Sequence, residues 1–128
     1  MTTHFISGHL DLTIPEFMLF YAHRLEKAIH NGDDFVVGDA PGADTIAQWW
    51  LAFHIGPELE AKVTVFHMLD APRNLVAAHG FNTRGGFTSD EERDRAMTEA
   101  SDADIAWVRP GREKSGTAWN LARRSSER

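Results

Sequence analysis

Short apolar runs alternate along this chain with longer segments whose apolar residues recur every three or four positions. That alternation restricts the fold more than any other feature. "HFIS" (4–7), "DFVVGD" (34–39), "KVTVFHM" (62–68) and "DIAWV" (104–108) are short and rich in β-branched or aromatic residues, and they read as strands. Residues 15–32, 43–56, 89–101 and 116–125 read as helices. In the first helix Phe17, Phe20, Tyr21, Leu25, Ala28 and Ile29 recur at helical spacing, with Pro15 suited to its start and Gly32 to its end. Ser89 followed by Glu92 has the form of a capping box. Strands that alternate with helices need crossover connections. The expected fold is therefore α/β: one small doubly wound, Rossmann-like domain over residues 1–128, with a mostly parallel sheet of four to five strands between helices. "FVV" and "IAWV" are apolar without alternation, as in strands buried on both faces. Residues 69–88 are left as a connection long enough to be a functional loop.

The chain has no cysteine, so a disulfide framework and a thiolate metal site are both excluded. Its seven histidines show no metal-binding spacing, and neither a metal nor a cofactor is expected. No run approaches the ~18 apolar residues of a membrane span. The N-terminal "MTTHFISGHLD" lacks the basic and apolar regions of a signal peptide, which makes the cytoplasm the expected location. A net charge of -6 argues against general nucleic-acid binding. The charge is uneven, however: residues 109–128 carry six basic side chains against two acidic ones. A basic segment of that kind serves either a small anion or the C-terminal end of a helix.

Ligands of open α/β sheets bind beyond the carboxyl ends of the strands, where the strand order reverses. Three such ends carry glycine: "SGHLD" (7–11), "GDAPGAD" (38–44) and "RPGREKSGT" (109–117). A helix N-terminus offers unpaired N–H groups and a partial positive charge, and glycine allows close approach to a phosphate. On that basis Gly116, with Ser115, Thr117 and Arg112, forms one candidate anion site, with Arg109 and Lys114 nearby; in the alternative, Ser115 or Thr117 simply caps the helix. Gly38, Gly42 and Asp44 form a second turn, and Asp39 at the end of its strand is a candidate for binding ribose or acting as a base. Ser7, Gly8 and His9 are candidates for a phosphate or ribose contact. Arg84 and Gly85, in "NTRGGFTSDEERD", would belong to a loop folded over the ligand, or to a plain surface connection. Trp49, Trp50 and Trp107 are expected in packed positions. Strand orders 3-2-1-4 and 2-1-3-4 both remain open; the first sets "SGHLD" beside "REKSGT".

These turns, in their order, resemble the Rossmann-like nucleotide-binding SLOG superfamily, which includes Smf/DprA-type, YspA/YpsA-like and "lonely guy" phosphoribohydrolase proteins. "FISGHLD" is similar to its first strand and loop, and "FVVGDAPGADTIAQWW" to its "GGA.GAD..A" turn and helix. "ASDADIAWVRPGREKSGTAWNLARR" is similar to its last strand, loop and helix. The resemblance implies a nucleotide or nucleotide-derived ligand and a homo-oligomer. Lonely guy enzymes carry "PGGxGTxxE", and nucleoside deoxyribosyltransferases a "GTAWE"-like stretch; here Asn120 stands where both have glutamate. An amide neither stabilises an oxocarbenium-like transition state as a carboxylate does nor acts as a nucleophile, but it still hydrogen-bonds a ligand. The expected function is a nucleotide-binding or sensing module. One alternative is an N-glycosidic hydrolase or transferase with a relocated carboxylate at Asp39, Asp11 or Asp94; another is a DprA-like DNA-associated protein.

Overall fold

A computed structural model of the chain describes residues 1–76 and 80–126. Two residues counted in the basic segment, Glu127 and Arg128, lie outside the described residues, as does part of the 69–88 connection. Five parallel strands form one sheet in the order β4-β3-β2-β1-β5. They are β1 (Thr3–Ile6), β2 (Asp34–Val37), β3 (Val63–Met68), β4 (Asn82–Phe87) and β5 (Ala103–Ile105). The helices are α1 (Ile14–Phe20), α2 (Ala22–His30), α3 (Ala43–Ile55), α4 (Leu59–Lys62), α5 (Asp90–Glu99) and α6 (Gly116–Ser126). The α/β fold expected from the alternation is present, and with β4 set aside the strand order is the 3-2-1-4 alternative.

Successive strand residues point to opposite faces, and both faces are covered. Ile6, Phe35, Val37 and Val65 join Phe17, Leu25, Ala47 and Leu51 of α1, α2 and α3 in the larger core. Phe5, Val36 and Phe66 pack on the other side against Phe87 and Met97. None of the helices is long and apolar enough to cross a membrane, among the described residues.

Several features differ from their sequence reading. The strand expected over 104–108 ends at Ile105, and α4 stands where the sequence reads as a connection. The helix expected over 15–32 is two helices, broken at Tyr21. The Tyr21 ring is fully buried, and its hydroxyl donates to Ser7 O at 2.8 Å and accepts from the Trp107 N–H at 3.0 Å. The 69–88 connection contains a strand, β4, whose pairing with β3 shifts register between Phe66 and Met68. Trp49 is 57% exposed on α3 rather than packed inside.

Candidate functional site

The chain runs β1, β2, β3, β4 outward in one direction and returns to place β5 on the far side of β1. The order therefore reverses at the β1/β5 boundary, where a crevice opens beyond the carboxyl ends of the strands. A cavity of about 400 Å³ lies there. Of the predicted residues, Ser7, Gly8, His9, Asp44, Arg112, Ser115, Gly116, Thr117 and Asn120 line it.

The first wall is the turn after β1. Ser7 is 5% exposed, and its Oγ is buried without a hydrogen-bond partner among the described residues. Gly8 has no room for a side chain: a Cβ would stand 2.5 Å from both the Ala43 Cβ and the Tyr21 hydroxyl. His9 lines the cavity but is committed to the scaffold. Its Nε2 accepts from the Arg109 N–H at 2.8 Å, which places the ring proton on Nδ1. Burial, then the charges of Arg112 and Arg109, hold its pKa below the usual value.

The second wall is the mouth of α6. Ser115 caps this helix, its Oγ accepting from the Ala118 N–H at 3.3 Å. The N–H groups of Gly116 and Thr117, in the first turn, have no partner among the described residues. Lys114 has no ion pair among the described residues, and Arg112 makes a long one, 3.4 Å, to exposed Asp11. Arg109 is spent elsewhere, on Glu16 at 2.7 and 2.9 Å and on Asp11 at 3.0 Å. The hydrogen bond from Arg109, with that of the Thr13 N–H, pulls the Glu16 pKa down to about 2.

The floor is a chain of alternating charges that joins β2, α5 and α6. Asp39 is fully buried and accepts from the Arg73 N–H at 2.8 Å, from the Arg73 guanidinium and, at 2.8 Å, from Arg93 Nη1. Burial alone would raise its pKa; Arg73 and Arg93 more than offset that and leave it lowered. The Arg93 guanidinium also donates to Asp94 Oδ1 at 3.0 and 3.2 Å. Asp94 Oδ2 accepts from Asn120 Nδ2 at 3.3 Å, and Asn120 Oδ1 accepts from Arg123 at 2.7 Å. Asn120 is thus a coupler, donating to an anion and accepting from a cation. The Asp94 pKa is raised by burial, against the pull of Arg93 and Asn120. Asp44 Oδ2 accepts from the Ala40 N–H at 3.1 Å, and burial pushes its pKa up to about 7.

Not every predicted residue reaches the cavity. Asp39 stands behind it, with both oxygens occupied by arginines. Gly38 and Gly42 shape the turn without lining the cavity. Gly42 has φ +75°, and a Cβ on it would stand 2.5 Å from the His9 carbonyl oxygen and closer still to that of Leu10. The loop expected around Arg84 and Gly85 is instead edge strand β4, where Arg84 lies over the Phe66 and Phe87 rings and Gly85 packs on the His67 ring. The part of the connection that does reach the cavity is Arg73. It is held where Gln48 bonds Asn74 O and the Val76 N–H, and Asn74 bonds Asp39 O. Sequence reading missed Arg73, Arg93 and Trp119 as lining residues; no local motif marks an arginine that meets its carboxylate 34 or 54 residues away.

No cluster of His, Asp or Glu side chains that could hold a metal ion occurs among the described residues. The chain matches no protein-family model, no curated protein and no solved structure.

Proposed function

We propose that the chain binds a nucleotide or nucleotide-derived ligand in the β1/β5 crevice and acts as a binding or sensing module. The observation that carries this reading is the convergence, in one cavity, of the free N–H groups of Gly116 and Thr117, the partnerless buried hydroxyl of Ser7, and the Arg112 and Lys114 side chains. Each of these donates a hydrogen bond or carries positive charge, and a phosphate accepts from all of them. The cavity volume falls within the ~300–1,000 Å³ typical of small-ligand sites. One helical turn beyond Gly116, about 6 Å along α6, Asn120 offers an amide to sugar hydroxyls, and Asp94 on α5, in contact with it, offers a carboxylate. Such a ligand is consistent with a cytoplasmic location.

A panel of nucleoside mono-, di- and triphosphates in a thermal-shift assay tests the reading. Ligand at 100 times its Kd stabilises the fold by about 2.7 kcal/mol. The double variant Arg112→Ala, Lys114→Ala is expected to weaken binding about tenfold or more. No shift with any nucleotide near millimolar concentration refutes the proposal.

A second reading, N-glycosidic cleavage, is favoured by one feature: Asp94 brings a carboxylate of raised pKa against Asn120. Release of free base from a nucleotide, lost in Asp94→Asn, would support it; intact nucleotide after prolonged incubation would refute it.

A self-association surface is supported by the outer faces of α1 and α3. Ile14, Met18, Leu19 and Phe53 are 51–83% exposed there, an apolar surface of the kind that marks protein contacts.

A further inference from the structure

The cavity does not end at the α6 mouth. Asp90, Asp94, Gly116, Trp119 and Asn120 line it and also line a second cavity of about 340 Å³, so the two share a wall. The second cavity is the groove between α5 and α6. Its residues recur at helical spacing, Asp90, Glu91 and Asp94 on one helix and Gly116, Trp119, Asn120 and Arg123 on the other, so each helix contributes one face.

The α6 mouth itself carries Arg112 and Lys114. The groove, which shares Asp90 and Asp94 with the first cavity, has three carboxylates and one guanidinium, and Arg123 already donates to Asn120. Asp90 gives only Oδ1 to Arg73 and Arg93, and Glu91 only Oε1 to Arg95; their other oxygens accept from nothing among the described residues. Trp119 is 62% exposed beside them. A planar ligand there finds an aromatic face and, at its edge, acceptors in excess of donors.

We propose that the α5–α6 groove holds the base of the ligand, stacked on Trp119, and selects bases that carry an amino group. The inference rests on the nucleotide reading above and deepens it. The phosphate takes the α6 mouth. The amino group donates to a free carboxylate oxygen, Asp90 being the first candidate. A ring hydrogen at that place gives the carboxylate nothing to accept. AMP is therefore bound more tightly than purine riboside 5′-monophosphate, which lacks the amino group and is otherwise the same.

Calorimetric titration of the full chain with AMP, purine riboside 5′-monophosphate and ribose 5-phosphate separates the outcomes. AMP is expected to bind several-fold more tightly than purine riboside 5′-monophosphate, and both more tightly than ribose 5-phosphate, which lacks a base. Stacking on an aromatic side chain is worth at least several-fold in affinity, so Trp119→Leu is expected to weaken AMP about tenfold and ribose 5-phosphate much less. Asp90→Asn keeps the size of the side chain and is expected to narrow the gap between AMP and purine riboside 5′-monophosphate. Equal affinities for all three ligands, or a Trp119→Leu variant that binds AMP as the parent does, overturn the base assignment while leaving a phosphate site in place. No binding of any of the three overturns both. Circular dichroism of each variant shows whether the fold is retained; if Trp119→Leu unfolds, Trp119→Phe, which keeps a smaller aromatic face, is expected to retain a preference for AMP over ribose 5-phosphate, and its loss counts against stacking.

Discussion

Replacing Asp44 by asparagine tests the electrostatics of the cavity wall. Asp44 is 7% exposed, and burial lifts its pKa from 3.8 to about 7. The charged groups that act on it are Arg93, which lowers the pKa, and Asp94 and Asp39, which raise it; the buried Tyr21 hydroxyl, whose own pKa is pushed to about 12, stays neutral. The sign follows from proton linkage. Between the unfolded value near 4 and the folded value near 7, the folded protein holds a proton that the unfolded chain has released. Stability from this group is therefore complete below pH 4 and is lost as pH rises to 7. A displacement of about three units corresponds to about 4 kcal/mol across that window. The amide of the Asp44→Asn variant cannot ionise, and its oxygen can still accept from the Ala40 N–H. Urea unfolding of both proteins from pH 4 to 8, followed by tryptophan fluorescence, gives the difference directly, because the other titrating groups are common to both. The gap is expected to move in favour of the variant by about 4 kcal/mol on the same scale. Parallel stability curves, separated by a constant amount, would show that Arg93 keeps Asp44 ionised and that the burial argument is wrong.

Gly42→Ala forces a Cβ into the carbonyl oxygens of His9 and Leu10 at a φ of +75°. The strained backbone alone costs ~1–3 kcal/mol, so a loss of at least that size is expected in urea unfolding, and a loss below about 0.5 kcal/mol would refute the packing. Phe53, 83% exposed on α3, tests the apolar face: the parent is expected to sediment as a dimer or larger at tens of micromolar and Phe53→Glu as a monomer with the circular dichroism of the parent, whereas a monomeric parent would remove the self-association reading.

The legible part of the fold was the part set by local pattern. The sequential order of four of the five strands, the turn after β1 and the start of α6 were readable, because short apolar runs and helix starts are written in neighbouring residues. Two features were not. β4 is polar, contains two glycines and is exposed over most of its length; it is a strand because β3 offers an edge, and that partner is distant in sequence. The break at Tyr21 leaves the apolar period intact, so nothing local announces it; the hydroxyl is drawn inward to Ser7 and Trp107 across the sheet. One missed signal was available. Thr13 and Glu16 form a reciprocal capping box at the start of α1, a T-x-x-E visible in the text. At α5, by contrast, Ser89 caps as expected while the Glu92 side chain turns to Thr88 instead.

The site divides along the same line. Glycines and a helix mouth are demands of the backbone, and they were found by residue type and position. The network Arg73–Asp39–Arg93–Asp94–Asn120–Arg123 draws on four separate segments and has no sequence signature. It nevertheless explains the residue that stood out most. A glutamate at position 120 would direct a carboxylate toward Asp94, which sits 3.3 Å from the amide nitrogen and is itself largely withdrawn from water. Two carboxylates so close cannot both ionise without a large cost. Asn120 relieves that conflict and keeps the Arg123 contact. A second carboxylate at position 120 would thus have to share a proton with Asp94 or draw on Arg123 to ionise. Asp44 and Asp90 line the same cavity, but Asp94 is the carboxylate that meets the residue at position 120, so the α5 side chain decides whether an acid is tolerated on α6.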